Sequence, residues 1–225
     1  MTCARACSRT RPRRRRPIVL GLTGSVGMGK STAAAMLRRL GVPVHDADAA
    51  VHAMMTRGGS AVPAIAQEFP DVIVDGAVDR KALGRRVFHD TAALRRLEAI
   101  LHPRTRAAAH RFIQRHRRAR TPVVVLDIPL LFETGGERLC DAVAVVSAPQ
   151  FVQMARVLRR PGMTRATLDR IRDQQMPDAR KRRLADFVVE TGLGKGPTLR
   201  RLRQILKILR ENPPERPRAR RTSRA

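Results

Sequence analysis

The sequence predicts an α/β protein in which a parallel β-sheet is covered by helices on both faces. Short apolar runs typical of buried strands alternate with segments of helical composition, which favours parallel strands joined by helical crossovers. A glycine-rich segment separates the first apolar run from the first helical segment, at a position where such sheets bind ligands. The 225 residues show no internal repeat, so we expect one domain of ordinary size with small insertions.

The predicted elements begin with a strand at Ile18–Thr23, an uninterrupted apolar run of the kind that is buried on both faces. A helix at 31–40 follows the glycine-rich segment, and Gly41 provides a C-terminal cap. Residues 50–120 are mostly helical in composition, with separate helices expected on either side of His102 and Pro103. The other predicted elements are strands at 42–45, 123–126, 142–146 and 187–189, and helices at 92–100, 105–116, 150–160, 165–175 and 198–209.

Composition indicates a folded chain with an aliphatic core. Apolar residues make up 43% of the sequence, which argues against global disorder. Aromatic residues are scarce, with six Phe, no Trp and no Tyr. Val, Leu, Ile, Ala and Met must therefore fill most of the interior.

The formal charge is +27, from 46 Lys and Arg against 19 Asp and Glu. Such an excess is typical of proteins that bind polyanions, including nucleic acid and phosphorylated small molecules. Both ends are rich in arginine, and residues 1–16 hold seven Arg and no acidic residue. A general use of Arg in place of Lys explains the excess equally well, and stacking aromatics are absent among the charges. Charge alone does not predict a nucleic-acid partner, although the basic tails leave one open.

Cysteine use and hydropathy bound the location. The chain has three cysteines, Cys3, Cys7 and Cys140, and they show no metal-ligand spacing with the histidines. So few cysteines are typical of a protein in a reducing compartment. No apolar run has the length needed to span a bilayer, and none of signal-peptide type follows the Arg-rich start. We therefore expect a cytoplasmic protein without a membrane partner. We also expect disordered basic tails at 1–16 and 211–225 around a single domain at 17–210.

The glycine-rich segment carries the strongest signal. Residues 24–31 satisfy the pattern G-x-x-x-x-G-K-[ST] between a predicted strand and a predicted helix. The glycines let backbone N–H groups turn towards phosphate oxygens, and the helix N-terminus adds partial positive charge. Lys30 can reach the β- and γ-phosphates of ATP, and the Ser31 hydroxyl can bind Mg²⁺; a turn with an incidental lysine is the alternative. The predicted ATP-binding residues are Gly24, Ser25, Val26, Gly27, Met28, Gly29, Lys30, Ser31 and Thr32.

A further carboxylate is expected near the metal. Asp127 ends the predicted strand at 123–126, at the carboxyl edge where open α/β sheets bind ligands. A carboxylate there can hold a water of the Mg²⁺ shell, so Ser31 and Asp127 are the predicted metal residues. The alternative is that Asp127 caps the turn before Pro129.

Asp46 and Asp48 follow the second predicted strand and should lie beside the phosphate loop. In phosphoryl transfer to an alcohol, a carboxylate can orient the hydroxyl and accept its proton. From their spacing alone, capping of the following helix is the favoured explanation for at least one of the two, since Asp is a preferred N-cap residue. One can therefore face the γ-phosphate while the other caps the helix, and the sequence leaves open which does which.

Arg156, Arg159 and Arg160 share one face of a predicted helical segment that ends before Pro161 and Gly162. A mobile segment bearing these arginines would close on ATP, neutralise charge in the transition state and exclude water. Arginine is common throughout this chain, so an incidental cluster is the alternative.

An ordered series of motifs runs from about residue 18 to 209. They are G-L-T-G at 21–24, D-A-D at 46–48, D-G-A-V-D-R at 75–80, L-E-A-I-L-H-P at 97–103, D-I-P-L-L-F-E at 127–133, Gln153 with Arg156 and Arg160, Gln175, Lys181, and A-D at 185–186. In this order they resemble the dephospho-coenzyme A kinase family. The phosphate loop is shared by a vast superfamily, whereas the later motifs are specific.

The resemblance implies ATP-dependent phosphorylation of the ribose 3′-hydroxyl of dephospho-coenzyme A, with Mg²⁺ as cofactor. It implies a P-loop nucleoside-kinase-like fold with a helical substrate-binding insertion at about 55–115 and a lid at about 150–176. Asp48 or Asp46 would be the catalytic carboxylate, acting with Lys30. The remaining implied roles are phosphate binding from the lid by Arg156 and Arg160, and acceptor binding by Arg80, His102, Pro129 and Leu130.

The sequence departs from the family pattern at two points. Phe69–Pro70 stands where Phe-Gly is common, which affects a loop of the insertion. Thr191 stands where an Asn often precedes the glycine after the last strand, which puts adenine contacts there in doubt. We expect a monomer or a weak oligomer.

Two other functions are consistent with parts of the sequence. A nucleoside or nucleoside-monophosphate kinase would share the phosphate loop and the lid. A nucleic-acid-binding ATPase or GTPase would fit the charge, but the guanine-specifying Asn-Lys-x-Asp motif is missing.

Overall fold

Seven strands are present in the computed structural model, which describes residues 16–88 and 90–214. They are β1 (Ile18–Thr23), β2 (Val44–Asp46), β3 (Ile73–Val74), β4 (Ala77–Val78), β5 (Val123–Asp127), β6 (Ala142–Ser147) and β7 (Phe187–Glu190). Five of them form a parallel sheet in the order β2-β5-β1-β6-β7, and β3 and β4 form a separate antiparallel pair. The predicted parallel α/β class is confirmed.

Helices cover both faces of this sheet. They are α1 (Lys30–Arg39), α2 (Ala47–Met55), α3 (Val62–Glu68), α4 (Arg80–Phe88), α5 (Thr91–Arg118), α6 (Gln150–Leu158), α7 (Arg165–Asp173), α8 (Asp178–Leu184) and α9 (Lys195–Glu211), with short 3₁₀ turns at Pro70–Val72 and Gly136–Leu139. Side chains of β1 alternate between two cores: Leu20 and Leu22 pack towards α1 and α9, whereas Val19 packs towards α5.

The segment between β2 and β5 has an apolar core of its own. Met54, Ile65, Phe69 and Leu97 are among its buried members. Phe69, at the departure from the family pattern, is only 1% exposed, and Pro70 begins the 3₁₀ turn that follows it. The insertion is therefore a small helical unit that packs around Phe69, in keeping with its helical composition.

One secondary-structure prediction was wrong in this segment. The two helices expected on either side of Pro103 are one helix, α5, of 28 residues. Pro103 lacks the N–H that would bond to the carbonyl of Ala99, which normally favours a break. Tertiary packing offsets that loss, because Leu97 is buried in the core of the insertion and Ala109 in the core under the sheet.

The β3–β4 hairpin was not predicted. Its turn contains Asp75 and Gly76, with φ angles of 51° and 75°, and Asp-Gly is a strong signal for a two-residue hairpin turn. Strands of two residues are too short to show an alternating pattern, so only the turn signal could have revealed them.

None of the helices within residues 16–88 and 90–214 combines the length and the hydropathy that a membrane span requires. The parts of the predicted tails at 1–15 and 215–225 lie outside the described residues. Arg16, which the sequence assigned to the first tail, contacts the folded chain through an ion pair with Asp141.

Candidate active site

The phosphate-binding loop leaves the carboxyl end of β1 and enters α1 through Gly29. Gly29 has a φ of 89°, a conformation that a residue with a side chain rarely adopts. No side chain caps α1, so its first N–H groups point into the loop and are available to phosphate oxygens. Gly24 lies against β6, where an added Cβ would be 2.6 Å from the carbonyl oxygen of Val146. The loop is therefore shaped by the strand beside it as well as by its own glycines.

A cleft of about 650 Å³ opens over this loop. It brings the loop residues together with Asp48, Arg156 and Arg160, which are far from the loop in sequence. Its lining residues are Gly24, Ser25, Val26, Gly27, Gly29, Lys30, Ser31, Thr32, Asp48, Pro129, Arg156, Arg160, Ile171, Gln175, Thr191, Gly194, Lys195 and Thr198.

Met28 is the one predicted ATP-binding residue that does not line this cleft. Its side chain is 4% exposed and belongs to the sheet core. Its sulfur accepts a hydrogen bond from the backbone N–H of Ala148 at 3.2 Å. The side chain of Met28 therefore anchors the loop to the core and does not face the space where ATP was predicted to bind.

Lys30 is held at the foot of the cleft by Asp127. Its Nζ donates to Oδ1 of Asp127 at 2.7 Å. Asp127 is 3% exposed and is not among the residues that line the cleft. Burial raises the pKa of this carboxyl, and the opposing charge and hydrogen bond of Lys30 lower it by less. Asp127 therefore contacts Lys30, which lines the cleft, and does not line the cleft itself. It lies at the end of β5, where the sequence predicted an acidic residue.

The two candidate catalytic aspartates have different positions. Oδ1 of Asp46 accepts the backbone N–H of Ala49 at 3.0 Å, so Asp46 is the N-cap of α2. Its Oδ2 lies 3.6 Å from the guanidinium of Arg38. Asp48, in the first turn of α2, lines the same cleft as Lys30. The geometry thus separates a capping carboxylate from a cleft-lining one, which spacing alone left open.

A second, mostly apolar cavity of about 290 Å³ adjoins the first. Asp48 and Pro129 line both, so they stand at the junction between the two. The predicted acceptor residues His102 and Leu130 also line this second cavity. The rest of its lining is His45, Ala47, Val51, Glu98, Leu101, Thr105, Arg106, Ala109, Ile128, Thr134, Gly136 and Leu139.

Arg80 is not brought to either cavity. It begins α4, and its Nη1 lies 3.3 Å from Nδ1 of His52. The motif that suggested Arg80 places it on the insertion, outside the lining of the two cavities. In this conformation the structure does not support an acceptor contact by Arg80.

His45 was missed by sequence reasoning. It lines the second cavity, and its ring centroid is 5.3 Å from that of Phe112 on α5. Burial lowers the pKa of its imidazole, which the neighbouring charge of Asp46 raises by less. Nothing in the local sequence signals this, because the burial comes from a helix distant in sequence.

The arginine-bearing segment lies over the phosphate loop. Gln153 donates from Nε2 to the carbonyl of Val26 at 2.8 Å, and the N–H of Val26 donates to Oε1 of Gln175 at 3.1 Å. Helix α6 ends at Leu158, so Arg160 lies beyond it and the predicted helical face shared with Arg156 is not formed. Both arginines nevertheless line the cleft.

Thr191 joins three elements behind the loop. Its hydroxyl donates to the carbonyl of Met28 at 2.7 Å and accepts from Nη1 of Arg156 at 3.0 Å. Nη2 of Arg156 donates to the Thr191 carbonyl at 2.8 Å. The second departure from the family pattern therefore has a structural role, in which Thr191 holds Arg156 against the phosphate loop.

The described chain contains no cluster of three or more His, Cys, Asp or Glu side chains that could hold a metal by itself. The hydroxyl of Ser31 and the carboxylates of Asp48 and Asp127 form a set of oxygen donors close to the cleft. Mg²⁺ is usually bound by one or two carboxylates, water and substrate phosphates. The residues present fit that cation only together with a nucleotide.

Known proteins similar to this chain share both its sequence and its fold. A family model for dephospho-CoA kinase matches residues 18–194. A dephospho-CoA kinase of Paramagnetospirillum magneticum is 67% identical over 199 residues, which cover 88% of this chain and 94% of that protein. One from Rhodospirillum rubrum is 57% identical over 195 residues, with coverages of 86% and 92%.

Solved structures with the same fold support this similarity. A Thermus thermophilus protein superposes with a TM-score of 0.75 at 38% identity, covering 86% of this chain and 98% of that one. A dephospho-CoA kinase from Campylobacter jejuni has the same fold at 22% identity, with a TM-score of 0.61 and the same coverages. By sequence along most of its length and by fold, this chain belongs to the dephospho-CoA kinase family.

Proposed function

We propose that this chain transfers the γ-phosphoryl group of ATP to the ribose 3′-hydroxyl of dephospho-CoA, giving CoA and ADP in the final step of CoA synthesis. The observation that carries the proposal is the junction at Asp48. This carboxylate lines both the cleft over the phosphate loop and the adjoining apolar cavity. A phosphoryl donor in the first cavity and an acceptor in the second would meet there.

The donor end uses the loop and α1. The uncapped N–H groups of α1 and the ammonium of Lys30 supply positive charge where the β- and γ-phosphates would lie. Asp127 orients Lys30 from behind. Lys30 is therefore positioned before the nucleotide binds, which lowers the cost of arranging charge during the transfer.

Asp48 orients the acceptor hydroxyl and accepts its proton as the new phosphate ester bond forms. It lines the cleft with Lys30 and Ser31, whereas Asp46 is engaged as a helix cap. General-base assistance of this kind contributes about 10²–10⁴ in rate. The bond to the leaving oxygen of ADP breaks on the opposite side of the phosphorus atom.

Mg²⁺ would be held by Ser31 and the phosphates, with Asp48 and Asp127 as the nearby carboxylates. When bound, the cation would supply positive charge that neutralises the charge developing on the phosphate oxygens. Asp127 is already engaged with Lys30, so it would contribute a nearby negative charge at this cation site.

Arg156 and Arg160 bind phosphate oxygens from the lid side of the cleft. Arg156 is held by Thr191 and faces the loop, so it is ordered before substrate binds. The lid covers the loop through Gln153 and Gln175, which excludes water from the transferring phosphoryl group.

An acceptor assay tests the proposal. Dephospho-CoA, adenosine, AMP and shikimate would be offered separately with Mg-ATP, and ADP formation and the phosphorylated product would be measured. Turnover of dephospho-CoA alone is the expected result. Turnover of adenosine or AMP without turnover of dephospho-CoA would assign a nucleoside or nucleotide kinase instead.

A further inference from the structure

We propose that Glu133 and Lys181 form a positioning pair that couples the acceptor cavity to the lid, so that acceptor and ATP each tighten the binding of the other. Oε1 of Glu133 accepts the backbone N–H of Met176 at 2.8 Å and lies 2.9 Å from Nζ of Lys181. This inference rests on the proposed function for the identity of the two ligands. It assigns a role to three residues that line neither the cleft nor the acceptor cavity.

Glu133 belongs to the turn that forms one wall of the acceptor cavity. Pro129 and Leu130 line that cavity. The Leu130 carbonyl accepts both the N–H and the hydroxyl of Thr134, at 3.1 and 2.8 Å. The carbonyl of Pro129 accepts the hydroxyl of Thr23 at 2.8 Å, which ties the turn to β1. A shift of the cavity wall is therefore transmitted to Glu133 by a hydrogen-bonded segment.

Lys181 restrains the position of the Glu133 carboxylate. It lies on α8 with no exposed surface, and Nζ has no hydrogen-bond acceptor of good geometry among the described residues. Its ion pair with Glu133 is the compensation that the described chain offers to this buried ammonium. A buried charge without its partner is strongly unfavourable, so Glu133 cannot leave Lys181 freely.

Met176 lies where the lid joins the fixed part of the molecule. Pro177 follows it as the N-cap of α8. Gln175 precedes it and accepts the N–H of Val26 in the phosphate loop at 3.1 Å. Glu133 thus accepts a hydrogen bond from Met176, and the preceding residue, Gln175, accepts one from Val26 of the phosphate loop. The path runs from the acceptor wall to Glu133, Met176, Gln175 and Val26.

A merely structural ion pair would stabilise the fold without linking the two ligands. The double variant E133Q/K181M separates these roles. The introduced glutamine would retain an oxygen for the Met176 N–H, and the introduced methionine would fill much of the volume of the lysine stem. Because both charges are removed together, no buried ion is left unpaired, and such replacements are often neutral for stability.

The experiment is calorimetric titration with a non-hydrolysable ATP analogue, with and without saturating dephospho-CoA. For the unaltered protein we expect the acceptor to tighten analogue binding by about fivefold or more, within the usual range of coupling between sites. For E133Q/K181M we expect the acceptor to tighten analogue binding less than about twofold. Its thermal midpoint should stay close to that of the unaltered protein. The KM for each substrate, measured with the other at saturation, should be raised. Retained coupling in a folded double variant would overturn the proposal, as would the absence of coupling in the unaltered protein.

The matched control is R182M/E190Q, which removes a half-exposed ion pair that also involves α8. Arg182 and Glu190 contact neither the acceptor turn nor Met176 in the contacts of the described chain, so this variant should keep full coupling. Equal loss of coupling in the control would count against the specific path through Glu133.

Hydrogen exchange keeps the test open if the double variant does not fold. Dephospho-CoA alone should slow exchange of the amides of Met176 and Val26 in the unaltered protein, because their acceptors are held more firmly. Unchanged exchange at both amides would overturn the inference. A protein that does not phosphorylate dephospho-CoA at all would instead refute the proposed function, so the two failures are distinguishable.

Discussion

Lys30 and Asp127 form an ion pair at the cleft over the phosphate loop. The lysine supplies charge to the cleft, and the buried carboxylate 2.7 Å behind it sets its direction. Asp127 has a raised pKa because burial outweighs the effect of Lys30. Removing the lysine would leave that carboxylate buried without its cation.

Lys30→Ala should lower kcat by about 10²–10³, because Lys30 supplies preorganised charge at the transferring phosphoryl group. The variant should still fold, because the Asp127 carboxyl, whose pKa burial already raises, can take up a proton when its cation is lost. Steady-state kinetics would measure the loss of kcat, and circular dichroism would show whether the variant is folded. Lys30→Arg is the control that keeps the charge, and near-normal turnover of the alanine variant would contradict the assignment.

Asp48→Asn should lower kcat by about 10²–10⁴ with little change in ATP affinity, because the amide cannot accept the hydroxyl proton. Asp46→Asn should be nearly silent, since Asn caps helices about as well as Asp. Asp46→Ala should cost roughly 1 kcal/mol of stability through the lost cap. Parallel kinetics and denaturant unfolding would compare them, and a larger kinetic loss at Asp46 would reverse the assignment.

His45 predicts a pH dependence of stability. Burial lowers the pKa of the folded imidazole below its unfolded value, so the unfolded chain binds more protons between the two values. Stability should therefore fall as pH decreases through that window. His45→Gln should reduce the difference in thermal midpoint between about pH 7.5 and about pH 5.5. His116→Gln, at a less buried ring, is the comparison, and an unchanged difference in the His45 variant would refute the prediction.

At the scale of elements, the phosphate loop depends on its neighbour β6. A Cβ at Gly24 would meet the Val146 side chain and, at 2.6 Å, the Val146 carbonyl oxygen. Backbone cannot yield as a flexible side chain can, so the loop itself would have to shift. The position of the glycine is thus enforced by packing against the strand.

Gly24→Ala should raise the KM for ATP at least about tenfold and lower stability, by roughly 1–3 kcal/mol as for an overpacked core site. Gly84→Ala is the matched control, because Gly84 lies in α4 and the added methyl group would meet no atom within 4 Å beyond its chain neighbours and the adjacent backbone of that helix. It should gain up to about 1 kcal/mol from helix propensity. Wild-type ATP kinetics in Gly24→Ala would show that the loop tolerates the shift.

At the scale of the whole molecule, the formal charge of +27 comes largely from arginine, and some of these arginines lie away from the cleft. Asp141, with no exposed surface, accepts from Arg16 at 2.6 Å and from the Val19 N–H at 2.9 Å. These contacts lie at the amino ends of the strands, opposite the catalytic cleft. Arg16 therefore contacts the sheet at the end opposite the cleft.

Arg16→Ala should destabilise the protein, because the buried carboxylate of Asp141 would lose this cation. The expected cost is roughly 1–2 kcal/mol, less than for a fully buried pair because Arg16 is 39% exposed. Denaturant unfolding of the unaltered protein and of Arg16→Ala measures this cost. Equal stability would show that Asp141 is satisfied without Arg16.

The expected monomer or weak oligomer stays a prediction, which sedimentation of the same samples can test.

The sequence by itself determined the parallel sheet and the phosphate-binding loop. It also predicted one site for Lys30 and Ser31 together with either Asp46 or Asp48. Buried strands, glycine spacing and helix caps are local patterns that depend on residues close together in the chain. The acidic residue at the end of β5 was also predicted, because parallel strands share a carboxyl edge.

Only the tertiary structure decided between the positions of Asp46 and Asp48, placed Met28 in the core, kept α5 continuous through Pro103 and left Arg80 outside both cavities. Each outcome depends on what an element packs against, which comes from residues distant in sequence. The burial of His45 against α5 and of Lys181 beside Glu133 has the same origin. Direction and burial of a side chain are properties of the folded molecule, because they are set by neighbours that local sequence does not contain.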